Sequence, residues 1–158
     1  MRHSPTSSAA KPRQPDVAEK QVSGSRVIAA DAADIFAVLA NAARHADFDG
    51  SGTVKSASSG GDEPLKMGSK FGMNMRIVVP YKIGNTVVEF EQDRLIAWEH
   101  FGKHRWRYEL EPVEGGTQVT ETFDYSTSLF PKGIELMGYP DKHRVNIAKT
   151  LERLEALF

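Results

Sequence analysis

The chain has 158 residues, 40% of them hydrophobic and 26% charged, which supplies one domain with a real core and makes a second domain unlikely. Twenty Lys and Arg against 21 Asp and Glu leave a net charge of −1, so no overall field draws in a polyanion, and nucleic acid is not an expected partner. Cysteine is absent, which excludes disulfides, thiolate metal sites and a thiol nucleophile.

Met1 to about Pro15 holds three of the eight prolines together with Ser, Ala and three cationic residues, and it has no apolar periodicity to bury. Residues 1–15 are therefore expected to form a disordered tail ahead of a domain over residues 16–158. The tail lacks the apolar run of a secretory signal. Elsewhere, apolar runs such as Ile77 to Val79 fall far short of the ~20 residues of a membrane span. A soluble, cytoplasmic protein without stable membrane insertion is predicted.

Val17 to Ile28 is β-branched enough for a strand. Asp31, with Asp34 three residues on, reads as a helix cap, and Ile35, Phe36, Val38, Leu39 and Ala42 then recur at helical spacing. A short helix ending near Asn41 is predicted, with a second from Ala43 to Phe48. Strands follow over Gly52 to Ser58 and, after the turn SSGGDEP, over Lys70 to Val79. In the latter, Phe71, Met73, Met75 and Ile77 share one face, Asn74 and Arg76 the other, and Pro80 closes it. Lys82 to Glu91, Leu95 to Phe101, Arg105 to Glu111 and Gln118 to Tyr125 continue as an antiparallel meander, because their connections are too short for crossovers. Pro140 to Phe158 places Ile147, Leu151, Leu154 and Phe158 on one helical stripe. A lone amphipathic helix needs an apolar partner, and one face of the sheet is the large surface on offer.

The order is strand, two short helices, about six further strands and a long C-terminal helix. With it go the segments RVIAADAADIFAVLAN, RHADFDGSGTV, MGSKFGMNM, VVEFEQDRLIAWEH and WRYELEPVEGGTQVTETFDYS. Together they resemble the SRPBCC superfamily, in its polyketide cyclase/dehydrase-like branch. The resemblance implies an α+β helix-grip fold: a curved antiparallel sheet of about seven strands wrapped around the C-terminal helix, enclosing a lipophilic cavity. The superfamily includes lipid carriers, hormone receptors and aromatase/cyclases, and no catalytic motif shared across it can be carried onto particular positions.

Asp47, Asp49, Ser51 and Gly52 open like a calcium loop, D-x-D-x-S-G, but the twelfth position is Ser58 and no helix follows. They read as caps and a turn. Gly60 and Gly61 lack a phosphate-cradle context and read as a hairpin turn. Among the five histidines, only His100 and His104 are closely spaced. They lie across a turn with no identifiable third ligand, so neither metal nor cofactor is expected. Arg105 and Arg107 alternate to the face opposite Trp106 and read as solvated charges.

Alternation aims Trp98, Trp106, Tyr108, Phe123 and Tyr125, with Met73 and Met75, at one common face. These residues, with Ile147 from the helix, are the expected lining of the cavity. The partner predicted is a small lipophilic or aromatic molecule, a lipid or polyketide-like metabolite, held by a carrier or sensor. The alternatives are a cyclase/dehydrase-like enzyme acting in the same cavity and a partner-binding module without ligand. For chemistry, His100 aligns with Trp98 and Glu121 with Val119 and Phe123, so these two are the candidate catalytic pair, with Tyr108 as a neighbouring proton partner.

Overall fold

In the computed structural model, which describes residues 20–158, the alternating segments form one antiparallel sheet of seven strands. They are β1 (Gln21–Ile28), β2 (Val54–Ser59), β3 (Lys70–Arg76), β4 (Pro80–Glu91), β5 (Leu95–Glu99), β6 (Arg105–Val113) and β7 (Gly116–Asp124). The order across the sheet is β1-β7-β6-β5-β4-β3-β2. Each strand from β2 to β6 pairs with its successor, as short connections require, while β1 pairs along its whole length with β7, from Gln21↔Asp124 to Ile28↔Thr117. The predicted tail over residues 1–15 lies outside the described residues.

The chain passes from one edge of the sheet to the other through α1 (Ala32–Leu39), a 3-10 turn (Ala42–Arg44) and α2 (His45–Phe48). Asp31 occupies the N-cap of α1, yet its side chain makes no capping bond. Asn41 does cap, accepting from the Ala43 N–H and turning the chain into the 3-10 segment. The long helix, α4 (Tyr139–Glu155), packs on β1, β7 and α2 through Ile147, Leu151 and Leu154, all buried. Phe158, the fourth member of the predicted stripe, lies beyond the helix and is 46% exposed. The expected architecture of sheet gripping helix is thus the observed one.

Several boundaries differ from the sequence reading for local reasons. β3 stops at Arg76, which pairs with Pro80, so Ile77, Val78 and Val79 form an exposed turn and Pro80 opens β4 instead of closing β3. Proline lacks an N–H and is tolerated at the first residue of a strand. Residues 60–69 form a loop, longer than a hairpin turn, that is tied down by buried Leu65, whose N–H donates to the Ala40 carbonyl. A bulge between Val87 and Glu89 re-phases β4, so Phe90 meets Phe36 inside while Glu89 turns outward. An unpredicted helix, α3 (Pro131–Leu136), buries none of its residues and so carries no apolar stripe; Pro131 at its first turn was its one sequence signal.

Arg107 and Arg105 are held, not solvated. Arg107 donates to both Glu89 oxygens and to Asp124, and Arg105 bonds Glu89, which locks β4, β6 and β7 together on the outer face. The Asp47 loop is likewise used locally. Asp47 pairs with Arg44, Asp49 accepts from the Ser51 hydroxyl, and the Asp49 carbonyl accepts from Arg153 of α4.

Gly50 sits where this loop meets α4. A Cβ there would lie 2.6 Å from both the Asn146 carbonyl oxygen and the Thr150 backbone nitrogen. Helix backbone cannot yield as a side chain does, so Gly50→Ala is expected to cost about 2 kcal/mol or more. The measurement is the urea midpoint at constant m-value.

Candidate functional site

Between the sheet and the helices lies a cavity of about 660 Å³. Its floor follows from strand alternation: Phe71, Met73 and Met75 from β3, Tyr81, Ile83 and Asn85 from β4, Trp98 from β5, Trp106 and Tyr108 from β6, and Glu121 and Phe123 from β7 all face it. Its roof comes from His45 and Phe48 of α2, Ile134 of α3, and a second stripe of α4. Tyr139, His143, Asn146 and Thr150 stand at i, i+4, i+7 and i+11, beside the stripe that packs on β1. Exposed Ile77 and Phe101 also line the cavity, so its mouth opens between the β3–β4 and β5–β6 turns.

Of the residues expected to line it, Met73, Met75, Trp98, Trp106, Tyr108 and Phe123 do so. Tyr125 and Ile147 do not. Tyr125 is fully buried, stacked on Phe123, and its hydroxyl donates to Glu135 of α3. Ile147 lies against β1 at Gly24, where helix and sheet touch directly and leave no space.

The deep end is built around two polar side chains. Glu121 and Tyr108 are cross-strand partners, and the Tyr108 hydroxyl donates to Glu121 Oε1 at 2.8 Å. Oε2 is buried without a partner. Burial, with nearby Asp49 adding to it against the Tyr108 hydrogen bond, pushes the Glu121 carboxyl up to about 8. Burial and the same carboxyl also push the Tyr108 phenol well above its ordinary value. At neutral pH this is an uncharged acid beside an uncharged phenol, able to hold or exchange a proton inside an apolar chamber.

His45 closes the chamber next to them. Its Nε2–H donates to the Leu39 carbonyl at 2.8 Å, its ring stacks on Trp98 at 4.7 Å, and burial lowers it to about 4. This neutral imidazole is a packing element, and sequence inspection had no signal for it, because its contacts come from separate elements.

His100 lies past the end of β5, in the turn to β6, and lines the cavity as Glu121 does. Its near neighbour is His104, with ring centroids 4.0 Å apart, so the candidate pair is served by different partners: Glu121 by Tyr108, His100 by His104. His143 of α4 arrives on the same side, 4.3 Å from Phe123, a ring that His104 also contacts. Among the described residues, no three His, Asp or Glu side chains are arranged to hold a metal ion. No helix among them is long and apolar enough to cross a membrane.

A seven-stranded antiparallel sheet closed by a C-terminal helix over an aromatic-lined cavity defines a helix-grip protein of the SRPBCC superfamily. Within it, residues 19–158 match the family described as polyketide cyclase/dehydrase and lipid transport, and the chain belongs to that family. The chain is 37% identical over 145 residues to the uncharacterized protein Rv0088 of Mycobacterium tuberculosis H37Rv, covering 88% of this chain. The match spans only 64% of that relative's length.

Solved structures similar in fold include protein NE0264 of Nitrosomonas europaea (TM-score 0.68, 18% identity, 89% of this chain and 94% of that one). Another is the Polyketide_cyc-like protein Cgl2372 of Corynebacterium glutamicum (TM-score 0.59, 21% identity, 87% and 90%). A third is the AHSA1-like protein of Aeromonas hydrophila (TM-score 0.62, 16% identity, 87% and 93%).

Proposed function

We propose that the protein binds a small lipophilic or aromatic molecule in this cavity, as a carrier or sensor. The observation that carries the reading is the chamber itself. About 660 Å³ of space lies within the range of small-molecule sites, and its walls present mainly aromatic, thioether and aliphatic surface beside polar side chains such as Glu121, Asn85 and the histidines. Such walls supply affinity by apolar burial and impose little selectivity, so amphipathic aromatic or acyl compounds should bind with micromolar Kd, roughly −8 kcal/mol.

Trp106, half-buried on the wall, is the reporter for titration of a lipophile panel. Met73→Trp, which fills the chamber from the buried floor, should lower affinity at least tenfold. Absence of any saturable fluorescence change across a chemically varied panel would sink the reading.

A second reading is supported by the Tyr108–Glu121 hydrogen bond. A cyclase/dehydrase-like enzyme could fold a flexible substrate against the uncharged acid, with Glu121 and His100 moving protons. Turnover lost in Glu121→Gln and His100→Phe while binding persists would establish it. Equal loss of binding and stability in both variants would leave the carrier.

A further inference from the structure

The mouth of the cavity gathers four nitrogen bases that the binding role above does not use. The turn after β5 brings His100 and His104 to 4.0 Å between ring centroids, nearly perpendicular, and α4 adds His143 and, beside it, Lys142. Phe123 touches both His104 and His143 and separates them from Glu121, one two-residue step of ~7 Å further along β7. The two lining carboxylates, Glu121 and Asp49, therefore belong to the opposite end, around Tyr108.

The other charges near the imidazoles are already engaged. Glu99 is paired with Lys103 and Arg105, Asp141 with Arg144, and Asp124 with Arg107, while Glu135 accepts from Tyr125. The Nδ1 atoms of His104 and His143 are buried with no hydrogen-bond partner. Burial, and then repulsion from the neighbouring bases, lowers His100 to about 3 and His143 to about 4; burial lowers His104 as well. An entering anion beside these rings would favour the protonated form of an imidazole and offset the repulsion that such a proton otherwise meets from its neighbours.

We propose that this end of the cavity receives the carboxylate of an amphipathic organic acid, and that one imidazole of the cluster takes up a proton from solvent as the acid binds. The apolar body of the acid fills the aromatic chamber. The inference rests on the cavity-binding reading and adds the ligand class. Because the free imidazoles are neutral and the ligand is ionised between pH 6 and 8, affinity should strengthen as pH is lowered across that range, by up to about tenfold per pH unit.

The test is calorimetric titration with 2-naphthylacetate and decanoate, each beside its neutral alcohol, 2-naphthylethanol and decanol, in buffers of different ionisation enthalpy. The expected result is uptake of about one proton by each acid and none by the alcohols. Uptake should persist in Glu121→Gln, which removes the other group titrating in this range, and vanish together with about tenfold of acid affinity in the variant that combines His100→Gln, His104→Gln and His143→Gln. Alcohols that bind as tightly as the acids at pH 6, or uptake that disappears in Glu121→Gln, would overturn the assignment and leave the cavity reading intact. Failure of all four compounds would overturn both.

Discussion

Glu121→Gln is expected to be more stable than the parent at pH 8 and close to it at pH 5. The Glu121 carboxyl titrates near 8 in the folded chain against an ordinary 4.5, so the folded state holds this proton more tightly than the unfolded state. The stabilisation is complete below pH 4.5 and is lost as pH rises towards 8. At up to about 1.4 kcal/mol per pH unit, the loss is on the order of a few kcal/mol. Glutamine keeps an oxygen for the Tyr108 hydroxyl and has no charge to bury, so the loss towards pH 8 should disappear. Urea melts at pH 5, 6.5 and 8 decide it. A stability difference between variant and parent that stays constant from pH 5 to 8 would mean that the ionised carboxyl finds water or a cation.

The opposite limb belongs to the histidines, and His45, fully packed in the core, is the member whose removal tests it. Its folded value near 4, with those of His100 and His143 also far below 6.5, means that the unfolded chain takes up protons first on acidification. The histidines' contribution is therefore full above pH 6.5 and is lost as pH falls from 6.5 towards 4. Several imidazoles outweigh the one carboxyl working the other way, and the two limbs together put the optimum near pH 6.5. His45→Ala should cost about 3 kcal/mol at pH 7.5, because it empties a site packed by Trp98, Phe48 and Phe71 and leaves the Leu39 carbonyl unpaired. It should also reduce the acid slope by about one proton's share, 1.4 kcal/mol per pH unit. An unchanged acid slope in this variant would show that His45 is protonated in the folded state.

Much of this architecture is already present in periodicity. Alternation at Phe71, Met73 and Met75, the helical stripe of Ile147, Leu151 and Leu154, and connections too short for crossovers are local properties, and each dictates its element without reference to the rest of the chain. The same alternation aims Trp98, Trp106, Tyr108, Glu121 and Phe123 at one side of the sheet, because neighbouring strands in register share their inward phase.

Local pattern could not decide which inward residues meet space and which meet helix. Ile147 and His143 lie one helical turn apart on α4, yet Ile147 meets β1 and His143 meets the cavity, because the helix crosses the sheet touching it along one stripe and roofing a void with the next. The stripe of Tyr139, His143, Asn146 and Thr150 was visible at helical spacing, but its polar members look like a solvent face until the roof is known. The gathering of His100, His104 and His143 was beyond reach for the same reason: it joins a strand-connecting turn to a helix distant in sequence, and only tertiary packing sets that distance.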